Sequence, residues 1–511
     1  MRQIIKLLLS RAAIIAILIL IQVVAVAVFA VKVSEYFFYW YAIFLVLSIV
    51  VVLWLLGQNT HPSFKTAWII LILSFPIFGG LFYLMFGINR EGSKLTRSLR
   101  KVELDTRRYL KRDKGLERRI RAQSQSVSNE SNYIANSSFF PAYQDTATEY
   151  LPTGEEKFER LKVDLRAAKH FIFMEYFIIG LGKMWGEILE ILEEKVKEGV
   201  QVRVMYDDMG SISTLPYHYE ETLRKKGIQC TVFNPFRPIV SAIFNNRDHR
   251  KIAVIDGYIG YTGGINLADE YINHVTLHGH WKDSAIRLEG EAVWSLTVMF
   301  LRNWNATLEE EENYRGYTPH HYHSQSFESD GFVQPYGDSP LDKELVGQNI
   351  YMNFITKAKN YVYITTPYLI VGNEMMAVLE LAAKTGTDVR IITPHVPDKW
   401  YVHMMTQASY AQLIAAGVKI YEYTPGFIHA KTFVADDQTA TVGTVNLDYR
   451  SLFMHFECGV WIYRSQAVMQ VKEDFLKTLK ECHQVTLEEC SKPNLVVRLL
   501  RAGLRVFAPL M

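Results

Sequence analysis

Cysteine is scarce in this chain: Cys230, Cys458, Cys482 and Cys490 are the four in 511 residues, and no two of them stand in a C-x-x-C or metal-finger spacing. A disulfide framework and a structural zinc module are therefore excluded as the basis of the fold, and free thiols are expected. No motif surrounds any of the four, which argues against a cysteine nucleophile. An excess of one charge is missing as well. The 55 Lys and Arg residues stand against 53 Asp and Glu, a net charge of +2, so no global nucleic-acid footprint appears. His320, His321 and His323 cluster beside Pro319, but no Cys or carboxylate spacing completes a metal site. They read as an exposed interdomain loop.

Apolar runs are abundant at one end. Residues 12–31, about 36–56 and about 67–86 are each long and apolar enough to cross a bilayer, and Pro76, Gly79 and Gly80 in the third are tolerable there because neighbours re-satisfy the backbone. Arg2, Lys6 and Arg11 before the first run, and Ala25-Val26-Ala27 inside it, mimic a signal peptide. Its length exceeds a typical h-region, so it is expected to be retained. Residues 1–89 thus read as a transmembrane segment of two to three helices.

A basic tract follows, from Arg90 through Arg97, Arg107 and Arg112 to Arg121. Positive residues beside a span favour the cytoplasmic side and attract anionic lipid; a solvated charged helix with no lipid role is the other reading. Three spans would leave the N-terminal cations outside, a conflict that a first helix lying on the surface would remove. Residues 122–138, rich in Ser and Asn, read as a linker, making 90–145 a juxtamembrane and linking stretch. At the far end, 486–511 reads as an amphipathic tail. Arg498, Arg501 and Arg505 share one helical face with Leu, Val and Phe around the rest, which suits a helix in the lipid interface or a final core helix.

Between these lies the chemistry. His249, Lys251 and Asp256 read H-x-K-x-x-x-x-D, the pattern returns as His429, Lys431 and Asp436, and each copy has an Asn, Asn266 or Asn446, seventeen residues after its His. Two copies of one half-site imply one active site built from both halves of the chain. KIAVI and KTFVA are rich in apolar and β-branched residues, so each motif is expected on a buried strand whose His and Lys, two apart, face one cleft. A neutral imidazole can attack phosphorus, a protonated one can donate to a leaving oxygen, and lysine ammonium groups can hold phosphoryl oxygens. Asp256 and Asp436 belong to the catalytic motif, yet they fall at strand ends before turn residues, where orienting the turn is at least as good a reading.

The repeat extends outward. VQVRVMYDDMG from Val200 aligns with TDVRIITPHVP from Thr387, and RKKGIQCTVFNP with IAAGVKIYEYTP. Each half reads as strand, helix, strand, helix, strand and then the His-bearing strand, an α/β unit. About ten extra residues between Pro235 and His249, including Phe236, Arg237, Ile239, Val240, Ile243 and Phe244, form either a lipid-touching loop or an ordinary packed one.

On these motifs, and on EYFII at Glu175, WKDSAIRLEG at Trp281, TTPYLI at Thr365 and LDYRSLFMHFE at Leu447, the chain resembles the phospholipase D superfamily and, within it, the bacterial cardiolipin synthases. The resemblance implies two pseudo-symmetric α-β-α domains, 146–325 and 326–485, forming one active site. It implies phosphatidyl transfer between two phosphatidylglycerol molecules, giving cardiolipin and glycerol through a phosphohistidine, with no metal or other cofactor. The partners it implies are phosphatidylglycerol, other anionic phospholipids and a cell membrane, with the catalytic domains cytoplasmic and no nucleic acid. His249 is the expected nucleophile and His429 the acid and base, although the pseudo-twofold repeat allows the reverse. Lys251, Lys431, Asn266 and Asn446 would cradle the phosphate. Asp283 and Glu457, each downstream of the histidine of its own half, match the acids that fix the His tautomer. One departure stands out: the family usually carries Asn at the position of His455. A phospholipase D or phosphatidylserine synthase, using the same intermediate with another acceptor, is the alternative.

Overall fold

The computed structural model describes residues 20–26, 28, 34–76, 78–87, 94–235, 246–491 and 495–510. The chain divides into two compact units, one of residues 1–91, 236–245 and 502–511 and one of residues 92–235 and 246–501.

In the first unit a helix runs Ser34–Gly57, and its residues Phe38–Gly57 are long and apolar enough to cross a membrane. The third apolar run departs from expectation. It forms two helices, Pro62–Ser74 and Gly79–Phe86, because Pro76 offers no N–H and crowds the preceding turn, while Phe75 leaves helical conformation with ψ 72°. At 1.5 Å per residue neither piece spans the roughly 30 Å of hydrocarbon alone. The pieces pack on each other around Trp68, Ile72 and Tyr83, and Gly79 allows it: a Cβ there would press on the Ile72 backbone at 2.6 Å. Most of the first run, Arg90 of the basic tract and the insertion at 236–244 lie outside the described residues.

The second unit is built on two mixed sheets of matching order. In the first half the strands are β1 (Thr146–Leu151), β2 (Phe171–Tyr176), β3 (Gln201–Asp207), β4 (Gln229–Phe233), β5 (Arg247–Asp248), β6 (Lys251–Ile255), β7 (Ile259–Gly263), β8 (His280–Lys282) and β9 (Ala285–Gly290). In the second half they are β10 (Phe332–Asp338), β11 (Tyr361–Thr365), β12 (Asp388–Pro394), β13 (Lys419–Tyr423), β14 (Gly426–Ile428), β15 (Thr432–Ala435), β16 (Thr439–Gly443), β17 (His455–Tyr463) and β18 (Cys482–Gln484). The first sheet runs β1-β9-β7-β6-β2-β3-β4 and the second β10-β17-β16-β15-β11-β12-β13-β18. Up to the added β18, every strand of one has a counterpart in the other, so the fold is the mixed α/β, internally repeated arrangement that the motifs imply.

Helices cover both faces of each sheet. Helices Gly154–Ala167 and Lys183–Lys197 bury Leu161, Leu165, Trp185 and Ile188 against one face of the first sheet, and Val346–Lys357 and Asn373–Lys384 do the same in the second half. The other faces meet: Val254, Ile286 and Leu288 share one core with Val434, Val442 and Val460, together with helices Val293–Leu308 and Gln466–Leu479. An interface as apolar as a domain interior makes the two halves one body.

Residues 122–138 are not a linker. Ser124 caps a helix, Gln125–Ser137, whose Val127, Glu130, Ser131, Ile134 and Ala135 are buried on one stripe. Ser131 bonds Gln334 at 2.7 Å, and Glu130 accepts from the Trp461 indole at 3.2 Å. The polar residues there meet buried polar partners instead of water, which composition cannot reveal. Part of the basic tract is likewise docked: helix Lys94–Thr106 lays Leu95, Leu99 and Val102 on the shared core, while Lys94 and Lys101 pair with Glu309 and Glu311. All four cysteines are free thiols. The helix Leu495–Phe507 has no buried residue, and Leu495, Val496 and Leu499 are about two-thirds exposed (68%, 64% and 66%), which removes the core-helix reading.

Candidate active site

Each histidine stands just before the strand expected to carry it. His249 links β5 to β6, and His429 links β14 to β15, with Lys251 opening β6 and Lys431 preceding β15. These short segments reach across the molecule. β5 pairs with β17 of the other half, aligning Arg247 with His455 and Asp248 with Phe456, and β14 pairs with β8, aligning Ile428 with Lys282. The backbone then repeats itself: the His249 amide donates to the Phe456 carbonyl at 3.0 Å, and the His429 amide to the Lys282 carbonyl at 2.7 Å.

This exchange corrects the expected pairing of acids. His249 Nδ1 lies 2.9 and 3.0 Å from the Glu457 oxygens, and His429 Nδ1 lies 2.7 Å from Asp283 Oδ2. Each histidine is thus held by the acid of the opposite half. The reason is topological, since both motif segments leave their own sheet to pair with a strand of the partner half and so land beside its carboxylate.

The acids have supports of their own. Thr444 donates its hydroxyl to Glu457 while accepting from the Cys458 amide at 3.0 Å. The corresponding position in the first half is Gly264, where any Cβ would collide with the Asp283 carboxylate. Burial raises Glu457 to about 8 and Asp283 to about 7, against the lowering pull of Lys251 and Lys431. Burial and then the two lysines hold both imidazoles well below their ordinary value. Lys251 falls to about 8 and Lys431 to about 7, chiefly by desolvation. Lys251 donates to the His249 carbonyl at 2.5 Å, whereas Lys431 Nζ lies 2.8 Å from His429 Nδ1 itself.

Aromatic rings wall the imidazoles. Phe177 meets His249 edge-on at 4.9 Å between centroids, and Tyr271, Trp281 and Phe427 surround His429 at 5.5 to 5.9 Å. Tyr271 and Phe427 lie outside every motif, so sequence alone does not mark them, while Phe177 and Thr444 fall within motif stretches that assign them no role.

Asp256 and Asp436 sit elsewhere. Each has positive φ, 49° and 52°, and each carboxylate accepts from three consecutive amides, those of Lys169, His170 and Phe171 or of Lys359, Asn360 and Tyr361, at 2.7 to 3.0 Å. They tie a β-turn to the start of the central strand. Asn266 accepts from the Ile178 amide at 3.0 Å and donates to the Tyr271 hydroxyl at 2.6 Å, so most of its bonding is spent within its own half. Asn446 is buried, and its Oδ1 has no hydrogen-bond partner among the described residues. Glu175 and Arg250 form a buried network with Asp248 and Asn303 beneath the site.

Among the described residues a cation would find one cluster of ligands: His249, His455 and Glu457 offer atoms within 4.8 Å of one another. Lys251 and Lys431 exert their charge on the same groups and oppose such binding. In the interdomain loop His320 pairs with Glu291 at 2.9 Å and His323 stacks on Phe327.

Two sheets of one order, each supplying a His-Lys pair and an acid to the other's histidine, define a two-domain enzyme of the phospholipase D type. The domain model for "Cardiolipin synthase, PLD-like domain" matches residues 161–276 and 351–479, and that for "Phospholipase_D-nuclease N-terminal" matches 44–87. Cardiolipin synthases of Halalkalibacterium halodurans and Geobacillus sp. are each 34% identical over 89% and 92% of this chain and 90% and 93% of their own. A Streptococcus mutans protein described as uncharacterized is 44% identical over 90% of this chain and 99% of its own. The crystal structure of phosphatidylserine synthase from Haemophilus influenzae superposes with a TM-score of 0.54 at 14% identity, over 71% of this chain and 93% of that one, a likeness of fold. The chain belongs to the cardiolipin synthases of the phospholipase D superfamily, a family of phosphatidyltransferases.

Proposed function

We propose that the protein condenses two phosphatidylglycerol molecules into cardiolipin and glycerol through a phosphatidyl-histidine. The observation that carries this reading is the pair of buried histidines, each on a carboxylate of the opposite half, with Lys251 and Lys431 near enough to act electrostatically on both. A carboxylate that accepts from Nδ1–H leaves Nε2 with its lone pair, which is the nucleophilic form. Among the described residues His249 Nδ1 meets only Glu457, so His249 is the nucleophile. At His429, Nδ1 meets both Asp283 and the Lys431 ammonium. The Asp283 carboxylate and a bound phosphodiester anion favour the imidazolium of His429, the form whose Nε2–H can protonate a leaving oxygen.

In the first step His249 Nε2 attacks phosphorus, the bond to the glycerol oxygen breaks, and that oxygen takes the His429 proton. In the second, the hydroxyl of another phosphatidylglycerol gives its proton to His429 and attacks phosphorus, and the P–N bond breaks. Lys251 and Lys431 offset the charge on the phosphoryl oxygens throughout, with Asn446 as a further donor and Asn266 bracing the wall. Asp256 and Asp436 act through the turns they hold. No step calls for a metal.

The helix Phe38–Gly57 makes the protein membrane-associated. A multi-pass anchor with the catalytic unit on the cytoplasmic side, and a tail helix lying in the interface, complete the reading. Labelled phosphatidylglycerol supplied to the purified protein tests it: cardiolipin and glycerol should form in equal amounts, 32P from the head-group phosphate should be trapped on His249, and His249→Ala and His429→Ala should each abolish turnover. Substantial activity in either variant, or phosphatidic acid as the main product, would overturn it.

A further inference from the structure

His455 is buried, 9% exposed, and neither ring nitrogen has a hydrogen-bond partner among the described residues. The Glu457 oxygen stays 3.8 Å from its Nδ1, beyond hydrogen-bond reach. Buried polar groups in native proteins are almost always met, so an imidazole with both nitrogens unmet inside an active site points to a ligand. Its ring lies 5.5 Å from that of His249 and 6.4 Å from Phe177, centroid to centroid.

The surroundings indicate which ligand. Arg247 is the register partner of His455 across β5 and β17, and Arg450 lies on the short helix Tyr449–Phe453 that leads into β17. Arg247 pairs with Asp207 and donates to the Asn234 carbonyl, and Asp448 acts electrostatically on Arg450. Burial, followed by the charges of His249, Arg450, Lys251 and Arg247, holds His455 well below its ordinary value, so it is neutral and offers one N–H donor and one acceptor nitrogen. A neutral donor among guanidinium groups suits an anion that also brings a hydroxyl or an ester oxygen.

We infer that His455, with Arg247 and Arg450 beside it, forms the subsite for the phosphodiester of the acceptor lipid, next to the phosphorus carried by His249. The inference rests on the proposed reaction and deepens it. In that reaction the acceptor differs from water or a simple alcohol by a phosphate of its own, separated from the attacking hydroxyl by one glycerol unit. A second anion site beside the nucleophile places that hydroxyl in line with the P–N bond, and transfer to the anionic lipid is favoured over transfer to uncharged acceptors.

The test uses the full-length protein in phosphatidylglycerol vesicles containing 1-propanol, with the ratio of cardiolipin to phosphatidylpropanol as readout. His455→Ala should lower that ratio at least tenfold and raise the KM for phosphatidylglycerol as acceptor. His455→Gln, which keeps a donor and an acceptor, should recover much of it. An unchanged ratio in His455→Ala, or both products falling in parallel in both variants, overturns the subsite. Inorganic phosphate that suppresses cardiolipin in the wild type as strongly as propanol transfer would place free phosphate at the nucleophile and also count against it; suppression of cardiolipin alone, lost in His455→Ala, supports an anion site there. A wild-type protein that makes no cardiolipin fails the proposed function itself, before any variant is compared.

Discussion

Glu457→Gln and Asp283→Asn should disable different steps, and the crossed pairing says which. Glu457 is fully buried and accepts from His249 Nδ1 and the Thr444 hydroxyl. A glutamine there keeps the shape but turns one oxygen into a donor, which can stabilise the wrong tautomer of His249. The analogous amide substitution in a serine protease triad costs about 10⁴ in kcat, and at 1.36 kcal/mol per decade that is about 5 kcal/mol of barrier. A phosphatidyl ester of p-nitrophenol separates the roles, because its leaving group needs no proton. Quench-flow trapping of the 32P adduct should then show Glu457→Gln slowed by about 10³ to 10⁴ and Asp283→Asn close to wild type, while with phosphatidylglycerol both variants are slow. Adduct on His249 whose formation depends on Asp283 and not on Glu457 would refute the crossed arrangement. Adduct on His429 would reverse the assigned roles.

Asp256→Ala should destabilise the catalytic unit by about 2–4 kcal/mol, since a buried carboxylate bonded to three amides is lost; Asp436→Ala, on a more open turn, should cost less. Thermal unfolding in detergent checks both, and activity lost without a fall in melting temperature would contradict a turn-holding role. Gly264→Ala should abolish turnover in a folded protein by displacing the Asp283 carboxylate, as read by activity beside near-UV circular dichroism. For pH, burial sets the folded values of Lys251 and Lys431 at about 8 and about 7, below the roughly 10.4 of the unfolded chain. At these lysines the unfolded state therefore binds more protons between these limits; Glu457, raised to about 8, opposes them up to that pH, so stability of the free enzyme should rise with pH from about 8 toward 10. Affinity runs the opposite way: an anionic phosphodiester needs the ammonium forms, so its KM should climb above pH 7 to 8. A KM that falls over that range would refute the lysine cradle.

The sequence by itself determined the repeat. Two H-x-K-x-x-x-x-D motifs with matching flanks, and the continuous apolar runs KIAVI and KTFVA that follow each His, specify two like α/β halves and one shared site, because residues two apart on a strand face the same side. It also marked about 36–56 as apolar enough to span a bilayer, where the structure has the apolar helix Phe38–Gly57. Only tertiary structure decided which acid serves which histidine. Asp283 and Glu457 were legible as acids, but the strand exchange through β5 with β17 and β8 with β14 is a long-range pairing that leaves no trace in spacing. The same holds for residues 122–138, whose Glu130 and Ser131 meet buried partners far along the chain, and for His455, marked in sequence only as a departure from the family's Asn, whose unmet nitrogens exist only once Arg247 and His249 are folded beside it. Composition reports what a segment can do in water; what it does in the fold depends on what the other half of the chain brings to it.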